Sequence, residues 1–285
     1  MIDSSNLCIN RKSAPGLSLA DFLKLTHDLG IHHVELRNDL GKEVDNKNIL
    51  DGMSYAEVNE LLTKYDIEVE DINSLGNTDD PSLREKNLGS LDEMISIAKH
   101  IGAKKILFCP VMDKYDSRSD IEKFDDGVET IKDYSKTLKE NGMSGLFETL
   151  GFPESSIRTP FRALNIIESA NVNNFKVVAD LFHWFMGGVT KEDLDNELDI
   201  NKVGLIHIST VEIEKPKSEL TDQNRVLLAD PSHDVVNAYE MIKWFDAHNF
   251  KGLYSFEAFS DELRKWDYET VKKNLSKSIK LLEEI

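Results

Sequence analysis

The sequence is poor in cysteine: two in 285 residues, Cys8 and Cys109, each inside a short apolar run. Two thiols build no disulfide scaffold, so both read as small buried hydrophobes of a reducing, cytoplasmic compartment. No run approaches the ~18 apolar residues of a membrane span, and the opening MIDSSNLCINRKS lacks the apolar stretch of a signal peptide. Positive charge is also scarce. Against 52 Asp and Glu stand 34 Lys and Arg, a formal net charge of −18. Nucleic acids and anionic membranes are both bound through basic surface, so neither is expected as a partner. The nucleophile elbow GxSxG, the P-loop, HExxH and CxxC are all missing. No glycine-rich turn follows the first β-like run, which removes the usual dinucleotide site.

What is present is alternation. Short β-like runs occur at 7–10, 33–36, 69–73, 105–109, 145–149, 175–180, 203–209 and 253–258. Between them lie amphipathic segments at 18–30, 54–65, 88–102, 119–141, 160–170, 190–198, 233–248 and 268–284. Ser18 caps the first helix and Gly30 closes it; Ser54 and Glu57 form a capping box; Gly102 ends the third helix. Eight strand–helix units of roughly 35 residues are the size of βα modules, and eight of them close into a barrel of about 250 residues. No linker or composition break divides the chain. The expected fold is α/β, a single (β/α)8 TIM barrel domain spanning residues 1–285. Two connections are long, 38–53 and 210–232, and both follow strand C-termini, where such barrels build active sites.

Ionisable residues interrupt the apolar strands near their ends. Glu148 ends GLFET, Asp180 ends FKVVAD, His207 lies in VGLIHIS and Glu257 in LYSFEA. Singly, a carboxylate there commonly serves a loop, a helix cap or a salt bridge, and a lone histidine is commonly a satisfied core residue. On four successive strands they point to one spot, and buried carboxylates are costly unless paired or bound to a cation. Three carboxylates and an imidazole suit one divalent ion, Mn²⁺, Zn²⁺ or Co²⁺, with open positions for substrate or water. His183 follows Asp180 in DLFHW, where its ring reaches a ligand or packs beside Trp184. Glu154 sits on a proline turn in GFPES and Arg225 in the long connection after the seventh strand, each with a solvated alternative. Glu35 and Arg37 end the second strand as substrate contacts or as a structural ion pair. Asn10 and Asn73 end the first and third as partners for sugar hydroxyls or loop carbonyls.

The order FET…DLFHW…HIS…FEA resembles the xylose isomerase-like barrel superfamily, which includes sugar isomerases, ketose 3-epimerases, hydroxypyruvate isomerase and endonuclease IV. Within it the sequence is most similar to the inosose (2-keto-myo-inositol) isomerases of inositol catabolism, collinear over essentially the whole chain. LCIN, VELR, DINSLGN, FETLGFPESSIRTPFRALNII, VVADLFHWFMGG and LTDQNRVL carry the likeness. The resemblance implies Glu148, Asp180, His207 and Glu257 as metal ligands, and His183 and Arg225 as substrate contacts. It implies Glu148 and Glu257 as the acid and base of a carbonyl shift through an enediolate. Glu154 matches a glutamate of the ketose epimerases, while STVE after His207 and ADPSHD at 229–234 depart from many relatives. The expected activity is therefore a metal-dependent inosose isomerase, with a ketose 3-epimerase on free ketoses (tagatose or psicose type) as the alternative. An endonuclease IV-like enzyme is remote on charge and histidine count, and a non-catalytic sugar-binding barrel has no use for two opposed carboxylates. Few basic residues adjoin the four ligands in sequence, which favours a small neutral polyol or ketose over a sugar phosphate. A homo-oligomer is left open.

Overall fold

The computed structural model describes residues 2–41 and 43–285. Eight strands run in order around a closed barrel, each hydrogen-bonded to its neighbours in sequence and the eighth to the first. They are β1 (Leu7–Asn10), β2 (His33–Arg37), β3 (Glu68–Leu75), β4 (Lys105–Phe108), β5 (Ser144–Glu148), β6 (Phe175–Asp180), β7 (Val203–Ile208) and β8 (Leu253–Phe256). The helices are α1 (Leu19–Asp28), α2 (Tyr55–Tyr65), α3 (Arg84–Ile101), α4 (Asp120–Glu140), α5 (Pro160–Ser169), α6 (Leu181–Gly187), α7 (Lys191–Glu197), α8 (Ala238–Ala247) and α9 (Tyr268–Glu283). None is long and apolar enough to cross a membrane.

The chain packs as two compact units, residues up to Glu70 together with Ile206–Ile285, and Asp71–Leu205. In the first, β1 pairs in parallel with β2 and β8, matching Asn10 with Glu35 and Cys8 with Ser255. Because side chains alternate across a strand, this register puts Ile9, Val34 and Phe256 on one face, all fully buried. It leaves Asn10, Glu35 and Ser255 together on the other. In the second unit β4 pairs with β5 and β5 with β6, again in parallel. There Gly145 is needed for space, since a Cβ on it would stand 2.2 Å from the Phe175 ring.

Local chemistry sets most helix ends. The Ser18 hydroxyl accepts the Asp21 N–H and starts α1, whose Leu19, Phe22, Leu23 and Leu25 are buried. Ser54 and Glu57 exchange bonds at the start of α2, at 3.3 and 2.8 Å. Gly102, in the left-handed region at φ 80°, ends α3.

Three expectations need correction. Helix α3, expected from 88, begins at Arg84, because the 3₁₀ turn Pro81–Leu83 capped by Asp80 runs straight into it. The segment expected as helix from 233 begins only at Ala238, because Asn237 is left-handed at φ 57° and a turn of 3₁₀ helix occupies Pro231–His233. The Asp234 carboxylate ties this turn down, accepting from the Thr210 hydroxyl at 2.7 Å and the Tyr239 N–H at 3.0 Å. Helix α6 falls in a stretch expected as a plain connection. Its N-cap is Asp180, the last residue of β6, so strand end and helix start share one residue, and only Gly188 at the far end, left-handed at φ 82°, marks the helix.

Ser54→Ala is expected to cost about 1 kcal/mol of stability by removing a helix cap. Urea denaturation checks this; an unchanged midpoint would deny the capping box any role in stability.

Candidate metal centre and active site

In the first unit the side chains at the strand ends converge on Glu257, which follows β8 and is almost fully buried. Arg37, the last residue of β2, donates to its Oε1 at 2.6 Å, and Asn10 Nδ2 donates to the same oxygen at 3.2 Å. Arg225 Nη2 donates to Oε2 at 2.8 Å. Arg225 is itself fully buried, its Nε donating to the Ser209 hydroxyl at 3.1 Å and its Nη1 to Asp222 at 3.2 Å. It is thus no solvated loop arginine. The expectation of few basic residues near the ligands is also corrected. Lys12, Arg37 and Arg225 all gather on the Phe259 ring, 4.8, 5.1 and 4.6 Å from its centroid. Each is matched by a carboxylate, however: Lys12 by Asp39, Arg37 by Asp39 and Glu257, Arg225 by Asp222 and Glu257. Burial, and then Arg37 beside it, hold Lys12 below the usual lysine range.

His207 lies between two carboxylates. Its Nε2 is 3.0 Å from Glu35 Oε2 and its Nδ1 is 3.1 Å from Glu257 Oε2. The other Glu35 oxygen accepts the Ser255 hydroxyl. Burial pushes the Glu35 carboxyl up, but the His207 ring, the Ser255 bond and Arg37 outweigh it and hold Glu35 well below the usual carboxylate range.

In the second unit Glu148, the last residue of β5, accepts the Cys109 thiol at 3.5 Å. Cys109 is half-buried, so the expectation of two inert buried thiols holds for Cys8 alone. Asp180 Oδ1 accepts the His183 N–H at 2.8 Å. The His183 ring, 3% exposed, meets Phe152 and Phe182 edge-on at 5.3 and 5.4 Å. Its Nδ1 accepts the Gly151 N–H at 3.4 Å, which leaves the proton on Nε2. Asn73 is buried in β3 with neither amide atom hydrogen-bonded, so two donors and an acceptor remain for a ligand. Glu154 is exposed on the turn after β5, and its carboxylate does not join the buried groups.

One ligand atom from each of Glu148, Asp180, His207 and Glu257 lies within 4.8 Å of the other three, and all four residues are buried. The donor set fits a divalent ion. A neutral imidazole donating from Nε2 to Glu35 turns the lone pair of Nδ1 toward a Glu257 oxygen 3.1 Å away. Two acceptors repel at that distance unless a proton or cation lies between them.

Comparisons with known proteins identify the family. The family model described as "Xylose isomerase-like TIM barrel" matches residues 23–285. The chain belongs to this family. The inosose isomerase of Bacillus velezensis (strain DSM 23117 / BGSC 10A6 / LMG 26770 / FZB42) is 24% identical over 272 residues, 93% of each chain. That of Halalkalibacterium halodurans is 29% identical over 135 residues, a match spanning 47% of this chain and 46% of that one. Among solved structures, a xylose isomerase domain containing protein from Salmonella typhimurium LT2 has a TM-score of 0.90 at 30% identity, covering 99% of both chains. The IOLI protein, solved with a binding zinc atom, has a TM-score of 0.85 at 21% identity over 97% of both and shares the fold.

Within this xylose isomerase-like chain, sequence reasoning missed three features. Cys109 was visible only as part of an apolar run. The tie between Glu35 and His207 joins residues 172 apart and has no local signal. Arg118 organises the connection after β4, and nothing in its sequence neighbourhood singled it out. It bonds Asp79, Asp116 and Asp126, at 3.0, 2.8 and 2.9 Å. A fourth feature is Gly151, in the stretch FETLGFPESS. A Cβ there would stand 2.0 Å from the His183 carbonyl oxygen, so only glycine lets the turn after β5 lie against α6.

Gly151→Ala is accordingly expected to displace the start of α6, at about 1–3 kcal/mol of stability. Trp184, fully buried in α6, gives the readout. Its near-ultraviolet circular dichroism should weaken while the far-ultraviolet spectrum stays. An unaltered near-ultraviolet signal would contradict the close approach.

Proposed function

We propose that the protein is a divalent-metal-dependent isomerase that moves a carbonyl along a neutral polyol, with an inosose as substrate. The observation that carries this reading is the buried quartet Glu148, Asp180, His207 and Glu257, whose ligand atoms lie within 4.8 Å of one another. Two of its members are glutamates at strand ends, and one of these, Glu257, is oriented by Arg37, Arg225 and Asn10. Relatives named inosose isomerase, at 24% and 29% identity, favour the cyclic ketose as substrate.

In this reading the four residues hold the ion, which would act as a Lewis acid toward the substrate carbonyl oxygen. One glutamate removes the proton from the hydroxyl-bearing carbon beside the carbonyl. The other delivers a proton to the former carbonyl carbon, while the hydroxyl proton passes between the two oxygens. No oxidant is consumed. Positioned proton transfer of this kind contributes roughly 10²–10⁴-fold. Arg37 and Arg225 aim Glu257. The His183 Nε2–H and the unbonded amide of Asn73 supply donors for substrate hydroxyls. The charges of Lys12, Arg37 and Arg225 are already matched by carboxylates, so nothing is left over for a phosphate, which favours an uncharged substrate. The ketose 3-epimerase alternative leaned on Glu154, whose side chain is exposed and offers no buried contact.

The test is solvent-proton exchange in D₂O, followed by NMR, with inosose, fructose, psicose, tagatose and hydroxypyruvate as candidates. Exchange and carbonyl migration are expected with inosose, and EDTA is expected to abolish both. Glu148→Gln and Glu257→Gln should each lower turnover by about 10²-fold or more while the far-ultraviolet spectrum is kept. Exchange confined to C3 of the free ketoses would transfer the assignment to the epimerases. Near-normal turnover in either variant would remove that glutamate from proton transfer.

A further inference from the structure

The Glu35 side chain is placed where no substrate group can use it without breaking the protein's own bonds. It is fully buried. One oxygen accepts the Ser255 hydroxyl and the other lies 3.0 Å from His207 Nε2. A neutral imidazole has one N–H while carboxylates face both nitrogens. The Glu257 oxygen already accepts from Arg225 at 2.8 Å, so the N–H goes to Glu35. The lone pair then sits on Nδ1, the nitrogen that lies 3.1 Å from the Glu257 oxygen. Turning the ring over would put carbon atoms at both places and lose both contacts. Ser255 fixes Glu35 in turn, and the parallel register of β1 with β2 and β8 brings these residues together on one face of the sheet.

We infer that Glu35 is a positioning residue for the metal centre. It holds His207 in the Nε2–H tautomer, with Nδ1 presented as the ligand atom, and does not contact substrate. The inference rests on the metal-site reading above. Carboxylate partners of a ligating histidine fix the ring and raise its basicity, and their loss typically weakens metal binding about 10–100-fold. The negative charge adds to this effect, while the acceptor alone preserves the orientation.

Metal binding itself is the readout, independent of turnover. Metal-free wild type, Glu35→Ala, Glu35→Gln and Ser255→Ala are titrated with Co²⁺ while its visible absorption is recorded, and Zn²⁺ affinity is taken by competition. Glu35→Ala is expected to bind both ions about 10–100-fold more weakly and to change the Co²⁺ band shape. Glu35→Gln, which keeps an acceptor without the charge, should fall between it and wild type, and Ser255→Ala should show a smaller loss of the same kind. Wild-type affinity and band shape in Glu35→Ala would overturn the inference. Equal loss in the Ala and Gln variants would also overturn it, because charge alone would then account for the effect. Should Glu35→Ala fail to fold, unchanged binding in both Glu35→Gln and Ser255→Ala would overturn it equally. If wild type binds neither ion, the metal-site reading fails, an outcome distinct from a wild type that binds and variants that do not differ.

Discussion

Burying carboxylates is the constraint around which the rest of this protein is arranged. A carboxylate withdrawn from water loses several kcal/mol of solvation unless cations and donors replace it. Glu257 is met by Arg37 and Asn10 on one oxygen and by Arg225 on the other, with His207 alongside. Each of those groups has its own anchor. Arg37 is held by Asp39, Arg225 by Ser209 and Asp222, and His207 by Glu35. A chain of paired charges therefore runs back from one buried carboxylate into the strands that present it.

The backbone around these groups follows from the same need. In the second unit Asp180 is at once the end of β6, the N-cap of α6 and one of the four clustered acids and imidazole. Its Oδ1 accepts the His183 N–H, so the residue that fixes the helix start also fixes the histidine one turn on. Gly151 lets the turn after β5 lie against that helix, and Phe152 and Phe182 wall the ring. Arg118 gathers three aspartates and shapes the connection after β4. Rigid elements tied together in this way hold side chains to within a fraction of an ångström, which loops alone seldom do.

Much of this was legible in the chain. The β-like runs match the strands to within two residues at either end, because an apolar run bounded by turns buries in one way. Ser18, Ser54 with Glu57, and Gly102 act through bonds to residues three or four away, so the sequence itself contains both partners. The quartet Glu148, Asp180, His207 and Glu257 was legible because ionisable residues at the ends of apolar strands are costly and therefore conspicuous. Helix α6 was not, since its cap is hidden in the preceding strand. Nor was the late start of α8, where Asp234 reaches back to Thr210 and Asn237 turns left-handed.

Sequence by itself thus determined the eight-fold alternation of strand and helix, the acidic balance and the identity of the four clustered residues. All of these are carried by local pattern and by the cost of charge. Tertiary structure alone decided what surrounds them. Closure of the sheet sets Glu35 beside His207, 172 positions away, and Arg37 beside Glu257, 220 away. It also shows that Lys12, Arg37 and Arg225 share one aromatic ring with their charges already matched. Contacts between residues so far apart leave no periodicity or spacing to read, because their geometry is fixed only when strand register is fixed.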